Sequence, residues 1–316
     1  MNHSQKVATV TLNPAIDQTV SIPHFAAGKV NRVQRVTADP GGKGVNVASN
    51  LADFGVEVSV SGFLGDENPA LFERLFKQKS IADHFVRIAG STRTGIKIIN
   101  EIEQETTDIN FPGQAPTQSD IELLLAAVDR LAESNKWFVL AGSIPAGCPA
   151  GIYGELVQLI KNKGKCAALD TSGEGLRQAV PALPSLVKPN IDELEELIGH
   201  PLPTQAAIIN AAHHWVEKGI ETVIVSMGAD GAIFVEGGEV VLAKPPVVTV
   251  KSTVGAGDAM VSGTVVGKVQ GASLTECARL ATAFSVNVIS QVGSGISSLE
   301  AIETYKSQVV IQDLSK

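Results

Sequence analysis

Trp137-Phe138-Val139-Leu140-Ala141, then the stretch 151–163 (Gly-Ile-Tyr-Gly-Glu-Leu-Val-Gln-Leu-Ile-Lys-Asn-Lys), then Cys166-Ala167-Ala168-Leu169, is the part of the sequence that decides the fold. Both outer runs are continuously apolar, which predicts strands covered on two faces rather than strands with a wet side. The stretch between them repeats apolar residues at helical spacing, so the unit reads strand, helix, strand. The rhythm extends in both directions. Strands are predicted at 7–12, 56–63, 186–188 and 222–226, and helices at 45–54, 68–79, 119–133, 191–198 and 205–218. The end, 257–290, reads as all helical with Gly271 dividing two helices. This pattern predicts an α/β chain with a mainly parallel central sheet and helices on each side.

Two regions break the rhythm, 17–36 and 92–111, and neither has room for a crossover helix. They predict antiparallel strands set apart from the main sheet, a small β-strand lid over the crevice built from roughly 13–36 and 91–111. With no internal repeat or linker, residues 1–316 read as one domain.

Composition narrows the function. Asp and Glu number 33 against 25 Lys and Arg, the opposite of the basic footprint that nucleic acid needs. No run approaches the ~18 apolar residues of a membrane helix, and the N-terminal stretch carries no secretory segment, so a cytoplasmic protein without a membrane partner is expected. Cys148, Cys166 and Cys277 are far apart and the six histidines lack ligand spacing, which speaks against a disulfide framework or a zinc site. Aromatic residues are 4% beside 30 glycines, a profile suited to backbone cradling of a polar ligand more than to stacking on rings. P-loop, complete GxGxxG, GxSxG and HExxH patterns are all missing.

The strongest local feature is Ser252-Thr253-Val254-Gly255-Ala256-Gly257-Asp258-Ala259-Met260. Its glycines let bare N–H groups approach a ligand, and the helix that begins there favours negative charge at its mouth. Asp258 has two readings, an N-cap of that helix or a carboxylate that takes a proton from an attacking hydroxyl. A second glycine-rich stretch, Asp39-Pro40-Gly41-Gly42-Lys43-Gly44-Val45-Asn46, turns Gly44 and Asn46 toward a ligand at another helix mouth. Third, Lys188-Pro189-Asn190-Ile191-Asp192-Glu193 places Asn190 and Glu193 on one helix face, either to hold Mg²⁺ through water or as a capping box. Fourth, Ser226-Met227-Gly228-Ala229-Asp230-Gly231 ends a strand in a turn suited to nucleotide phosphate and equally to a plain hairpin.

In this order the segments resemble the ribokinase/PfkB family of carbohydrate kinases, whose signatures are a GGKGVNVA stretch, here 41–48, and a late GAGD stretch, here 255–258. Thr11-Leu12-Asn13-Pro14-Ala15-Ile16-Asp17, Gly62-Phe63-Leu64-Gly65, Thr92-Arg93, Ala141-Gly142-Ser143-Ile144-Pro145 and Lys244-Pro245-Pro246 match as well, so the resemblance spans the chain. It implies a ribokinase-like three-layer α/β/α fold with a small β-strand lid. It also implies ATP and Mg²⁺ as cofactors and a phosphosugar as acceptor. Fructose 1-phosphate is favoured by 13–17, 107–111 and 252–258, with tagatose 6-phosphate or fructose 6-phosphate as the alternative.

By this resemblance Asp258 is the catalytic base, and the amides of Gly255, Ala256 and Gly257 form the anion hole. Asp17, Gly42 and Asn46 take sugar hydroxyls, Ser143 joins the substrate contacts, and Lys29, Lys43 and Arg93 take the existing phosphate. Lys188, Ser226, Gly228, Ala229, Asp230 and Gly231 fall to ATP, and Asn190 with Glu193 to Mg²⁺ through water. Two departures stand out. Ala141 replaces a serine common in relatives, and Gly95 stands where a larger residue is usual. A nucleoside kinase would need a platform for the base that the sugar-side motifs lack, and the intact Asp258, Asn190 and Glu193 speak against a non-catalytic regulator. The exposed edges of lid strands predict a homodimer.

Overall fold

The computed structural model describes residues 6–100, 102–103, 105–291, 293 and 295–315. In chain order, β1 (Lys6–Thr11) leads into the antiparallel pair β2 (Ala15–Ser21) and β3 (Arg35–Gly41), then α1 (Lys43–Asp53). Strand β4 (Val58–Gly65), α2 (Ala70–Gln78) and the short β5 (Ala82–Asp83) and β6 (Val86–Ile88) precede a second antiparallel pair, β7 (Thr94–Asn100) and β8 (Glu105–Asn110). The middle alternates through α3 (Gln118–Leu131), β9 (Asn135–Ala141), α4 (Ile152–Asn162), β10 (Cys166–Asp170), α5 (Gly173–Ala179) and β11 (Leu186–Val187). After α6 (Ile191–Ile198), α7 (Gln205–Glu217) and β12 (Thr222–Ser226) come β13 (Ala232–Glu236), β14 (Glu239–Lys244), α8 (Ala256–Gln270), α9 (Leu274–Ile289), α10 (Leu299–Gln308) and β15 (Val310–Asp313).

The main sheet runs β15-β14-β13-β12-β11-β10-β9-β1-β4-β5, with β6 also on β4. From β12 to β5 every pairing is parallel, while β13, β14 and β15 add an antiparallel edge. That edge is a feature the sequence reading passed over. Its signal was present, since Gly237-Gly238 separates two apolar runs as a hairpin turn does. Along β9 the pleat sends Trp137, Val139 and Ala141 into one core, beneath α1, α2, α8, α9 and α10, and Phe138 and Leu140 into the other, beneath α3 to α7. Burying both faces is what makes the strand apolar at every position, and it produces the three layers that the continuous runs predicted.

The remaining strands form a separate four-stranded sheet, β3-β2-β7-β8. Each pair is antiparallel within itself, but the two pairs join through a parallel contact between β2 and β7. Strand β3 runs on to Gly41, so Asp39 and Pro40 are strand residues rather than part of a glycine loop.

Candidate active site

Parallel strands end together, and the segments that leave their carboxyl ends gather on one rim of the main sheet. The rim is tied across by backbone bonds: Gly142 donates to Asp170 at 3.0 Å, Lys188 to Leu169 at 3.2 Å, and Ser226 to Pro189 at 3.1 Å. Two helices aim their N-termini at it. Their N-cap residues are Gly42, at φ 111°, and Gly255, at φ 79°, backbone conformations that a side chain would disfavour. Between them lies a cavity of ≈ 530 Å³.

Most of the expected residues meet there. Asp17, Gly42, Lys43, Asn46, Arg93 and Ser143 line the cavity from the sugar-side set; Lys188, Asn190, Glu193 and Ser226 do so from the nucleotide set; and Gly255, Gly257 and Asp258 lie at the mouth of α8. Ala256 is the first residue of α8 but does not line the cavity. Gly228, Ala229 and Asp230 form a 3-10 turn with Gly231 closing it, the first three exposed, and none of the four lines the cavity. Lys29 is exposed on the connection between β2 and β3, also outside it.

The N-cap reading of Asp258 is overturned. Gly255 is the cap of α8, Asp258 sits three residues inside the helix, and no side chain caps that end. Instead Asp258, 6% exposed, accepts a hydrogen bond from Asn46 Nδ2 at 2.8 Å. Helix α8 is buried on every side from Asp258 to Gly267, so the carboxylate is carried into the interior by an apolar helix. Burial and the nearby charge of Asp170 push Asp258 up to about 6, against the opposing pull of the Asn46 hydrogen bond and of Lys43 and Lys188.

Asp170 was missed by the sequence reading, which ended its strand one residue earlier. It is 1% exposed at the end of β10 and pairs with Lys43 at 3.1 Å and Lys188 at 3.4 Å. Burial alone would raise its carboxyl; the two ammonium groups outweigh that and hold it below the usual carboxylate range. A lone acid closing an apolar run at a strand's carboxyl end was the available signal.

Asn190 and Glu193 make the capping box in full. Asn190 Oδ1 accepts from the Glu193 amide at 2.8 Å, and Glu193 Oε2 accepts from the Asn190 amide at 2.9 Å. Both still line the cavity. Among the described residues no group of three His, Cys, Asp or Glu side chains could cage a metal directly. This donor set therefore suits a hydrated Mg²⁺ that keeps its waters and leans on ligand phosphates.

Arg93 faces the cavity with no carboxylate partner among the described residues. Its Nε is buried without a hydrogen bond, and its other nitrogens reach only the carbonyls of Phe111 at 3.5 Å and Asn13 at 3.4 Å. Burial lowers its pKa, partly countered by Asp17. On the small sheet, Asp17 stands directly beside Gly95 of β7, and a Cβ there would lie 3.2 Å from Asp17 Oδ1. The glycine departure thus makes room for this carboxylate. Lys97, two residues on along the same face, reaches Asp17 at 3.5 Å and was not foreseen. A second cavity of ≈ 310 Å³ opens against this polar face and shares Asp17, Asn46, Val254 and Gly255 with the first.

Residues 8–302 match the pfkB family carbohydrate kinase. The chain is 44% identical over 310 residues to a 1-phosphofructokinase of Rhodobacter capsulatus, covering 98% of each. It is 38% identical over 311 residues to 1-phosphofructokinase of Escherichia coli strain K12, covering 98% of this chain and 99% of that one. Its structure is similar to that of phosphofructokinase-2 from Escherichia coli in complex with potassium, with a TM-score of 0.90 at 27% identity over 96% of this chain and 99% of that one. With the signature glycines at the mouths of α1 and α8 and a buried carboxylate between them, the chain belongs to the pfkB family of carbohydrate kinases.

Proposed function

We propose that this carbohydrate kinase transfers the terminal phosphoryl group of ATP to the free 6-hydroxyl of fructose 1-phosphate, giving fructose 1,6-bisphosphate and ADP. The observation that carries the chemistry is Asp258: a buried carboxylate free of capping duty, bonded to Asn46 and pushed up to about 6. It takes the hydroxyl proton as the oxygen attacks the terminal phosphorus in line and the bond to ADP breaks. Amides of Gly255, Gly257 and Asp258, the residues at the start of α8 that line the cavity, would face the charge that spreads over the transferred group. Glu193 and Asn190 would hold the nucleotide's Mg²⁺ through water, and that ion supplies charge neutralisation on the phosphates.

The existing phosphate of the sugar falls to Arg93 and Lys43, with Lys29 joining if the β2–β3 connection folds down as a lid. Arg93 is suited by its planar donors and by a buried Nε with no hydrogen bond among the described residues. Asp17, held beside Lys97, takes a sugar hydroxyl. Closure of the small sheet would exclude water and limit wasteful ATP hydrolysis. A coupled assay of ADP release tests the reading with fructose 1-phosphate, fructose 6-phosphate and tagatose 6-phosphate. The highest kcat/KM is expected with fructose 1-phosphate; a higher value with either of the others assigns that acceptor instead.

We further propose a homodimer through the outer face of the small sheet. There Val20 and Ile98 are already buried with Ile22 and Phe25, but beside them Val36, next to Val20, and Ile109, next to Ile96, stay 53% and 43% exposed. Light scattering on the Val36→Asp, Ile109→Asp double variant should show a monomer where the wild type shows a dimer; an unchanged mass places any interface elsewhere.

A further inference from the structure

The cleft joins two expected phosphate subsites, yet one buried carboxylate serves both. Asp170 Oδ1 receives the Lys43 ammonium from the first turn of α1 and the Lys188 ammonium from the segment after β11. Its second oxygen, Oδ2, is buried with no hydrogen-bond partner. Among the described residues the compensation for this buried charge comes from these two lysines, and the loss of either leaves the other alone to offset it. The carboxylate itself is fixed by its strand. Gly142 donates to the carbonyl of Asp170, and the carbonyl of Gly142 accepts from Thr171 Oγ1 at 2.8 Å and Tyr153 OH at 3.0 Å. Facing this group are Asp258 and Asn46, bonded to each other, so the four charges of Asp170, Asp258, Lys43 and Lys188 sum to zero before any ligand arrives.

We infer that Asp170 is the positioning residue that holds Lys43 and Lys188 at one point of the cleft, so that the sugar-phosphate cation and the nucleotide cation are set in register with each other and with Asp258. This rests on the phosphosugar-kinase reading above. A lysine is a flexible point charge on a four-carbon stem, and one that must be placed anew for each turnover loses part of its binding free energy to ordering. Anchoring both ammonium groups on a rigid strand end removes that loss at two subsites through one residue. The proton balance of the transfer is unchanged: Asp170 accepts none, and Asp258 remains the base. Support also comes from Lys43, where burial opposes the ammonium but the charges of Asp170, Asp258 and Glu193 outweigh it and keep it above its ordinary value.

Asp170→Asn preserves shape and removes the charge. Its KM for fructose 1-phosphate and its KM for ATP should both rise roughly tenfold or more, the loss of a charge-anchored contact at each subsite. Lys43→Met should raise the first constant alone and Lys188→Met the second alone, and Asp170→Asn combined with Lys43→Met should cost less than the product of the single effects. A purely structural Asp170 would lower the melting temperature and leave both constants of the surviving enzyme unmoved; that result, or a rise in only one constant, overturns the inference. If Asn at position 170 leaves no soluble enzyme, Asp170→Glu, which keeps the charge but displaces it, should raise both constants, and unmoved constants overturn the inference equally. Wild-type protein that releases no ADP with fructose 1-phosphate overturns the parent reading, whereas a turning-over wild type with an unaffected Asp170→Asn variant overturns only this one.

Discussion

The floor of the cleft and the small sheet above it present charge to the same space from opposite physical states. On the floor, Asp170, Lys188 and Asp258 are 1%, 4% and 6% exposed, so each charge is set by its neighbours and cannot be moved alone. On the small sheet the Asp17–Lys97 pair keeps 29% and 22% of its side-chain surface, and all of β8 is exposed. Water shares the work there, and single pairs of this kind contribute little. Chemistry is therefore expected to depend on the floor, and acceptor binding on the rim and the small sheet.

The sharpest test of that contrast is Asp258→Asn. Loss of a positioned base should lower kcat by about 10²- to 10⁴-fold, measured with ATP and fructose 1-phosphate at saturation. The same residue sets a pH signature. Since burial and Asp170 lift Asp258 from 3.8 to about 6, the kcat/KM profile of the wild type should fall on the acid side with an apparent pKa near 6, as the base becomes protonated. Stability runs the other way. Between about pH 4 and pH 6 the folded chain holds this proton more tightly than the unfolded chain, so ionising Asp258 works against folding as pH rises through 6. Asp258→Asn should accordingly melt higher than the wild type at pH 7.5, with the gap closing near pH 4; a variant that melts lower at neutral pH would show that the carboxylate is not strained by burial.

Next in size is Arg93→Ala at the boundary between the two regions. KM for the phosphosugar should rise about 10- to 100-fold, with KM for ATP changed less than about threefold, because one charge-assisted anchor of the acceptor is lost and the nucleotide side is untouched. Equal effects on both constants would remove the phosphate role. Smallest are changes on the small sheet itself. Lys97→Met and Gly95→Ala should each alter the phosphosugar KM by about two- to fivefold, as expected for a half-solvated pair and for a methyl group that crowds Asp17 by a few tenths of an ångström. If Lys97→Met cost more than Arg93→Ala, the contrast between a decisive floor and an adjusting sheet would fail.

How far the chain could be read depends on the range of each signal. Helix α6 was predicted at its observed bounds, 191–198, because Asn190 and Glu193 cap it within four residues and Gly199 ends it in the left-handed region. The mouths of α1 and α8 were legible for the same local reason. Gly228 to Gly231 show the limit of that method: their glycine pattern suits a phosphate contact and the β12–β13 turn alike, and the 3-10 turn they form is compatible with both. Lys97 was hidden because its neighbour Asp17 comes from a strand whose parallel register with β7 is not written in either segment.

Short-range information, apolar periodicity with glycine and capping residues, thus carried the parallel three-layer core and the helix mouths, and singled out Asp258 as a candidate with two readings. It could do so because those features depend on residues a few positions apart. The charge network on the floor was decided only by folding. Lys43 meets Asp170 across 127 positions and Asn46 meets Asp258 across 212, and the strength of a charge depends on distance and burial, neither of which local spacing encodes. Asp258 could be picked out as an acid near phosphate; that its carboxyl is pushed up to about 6, facing a carboxylate shared by two lysines, required the packed sheet.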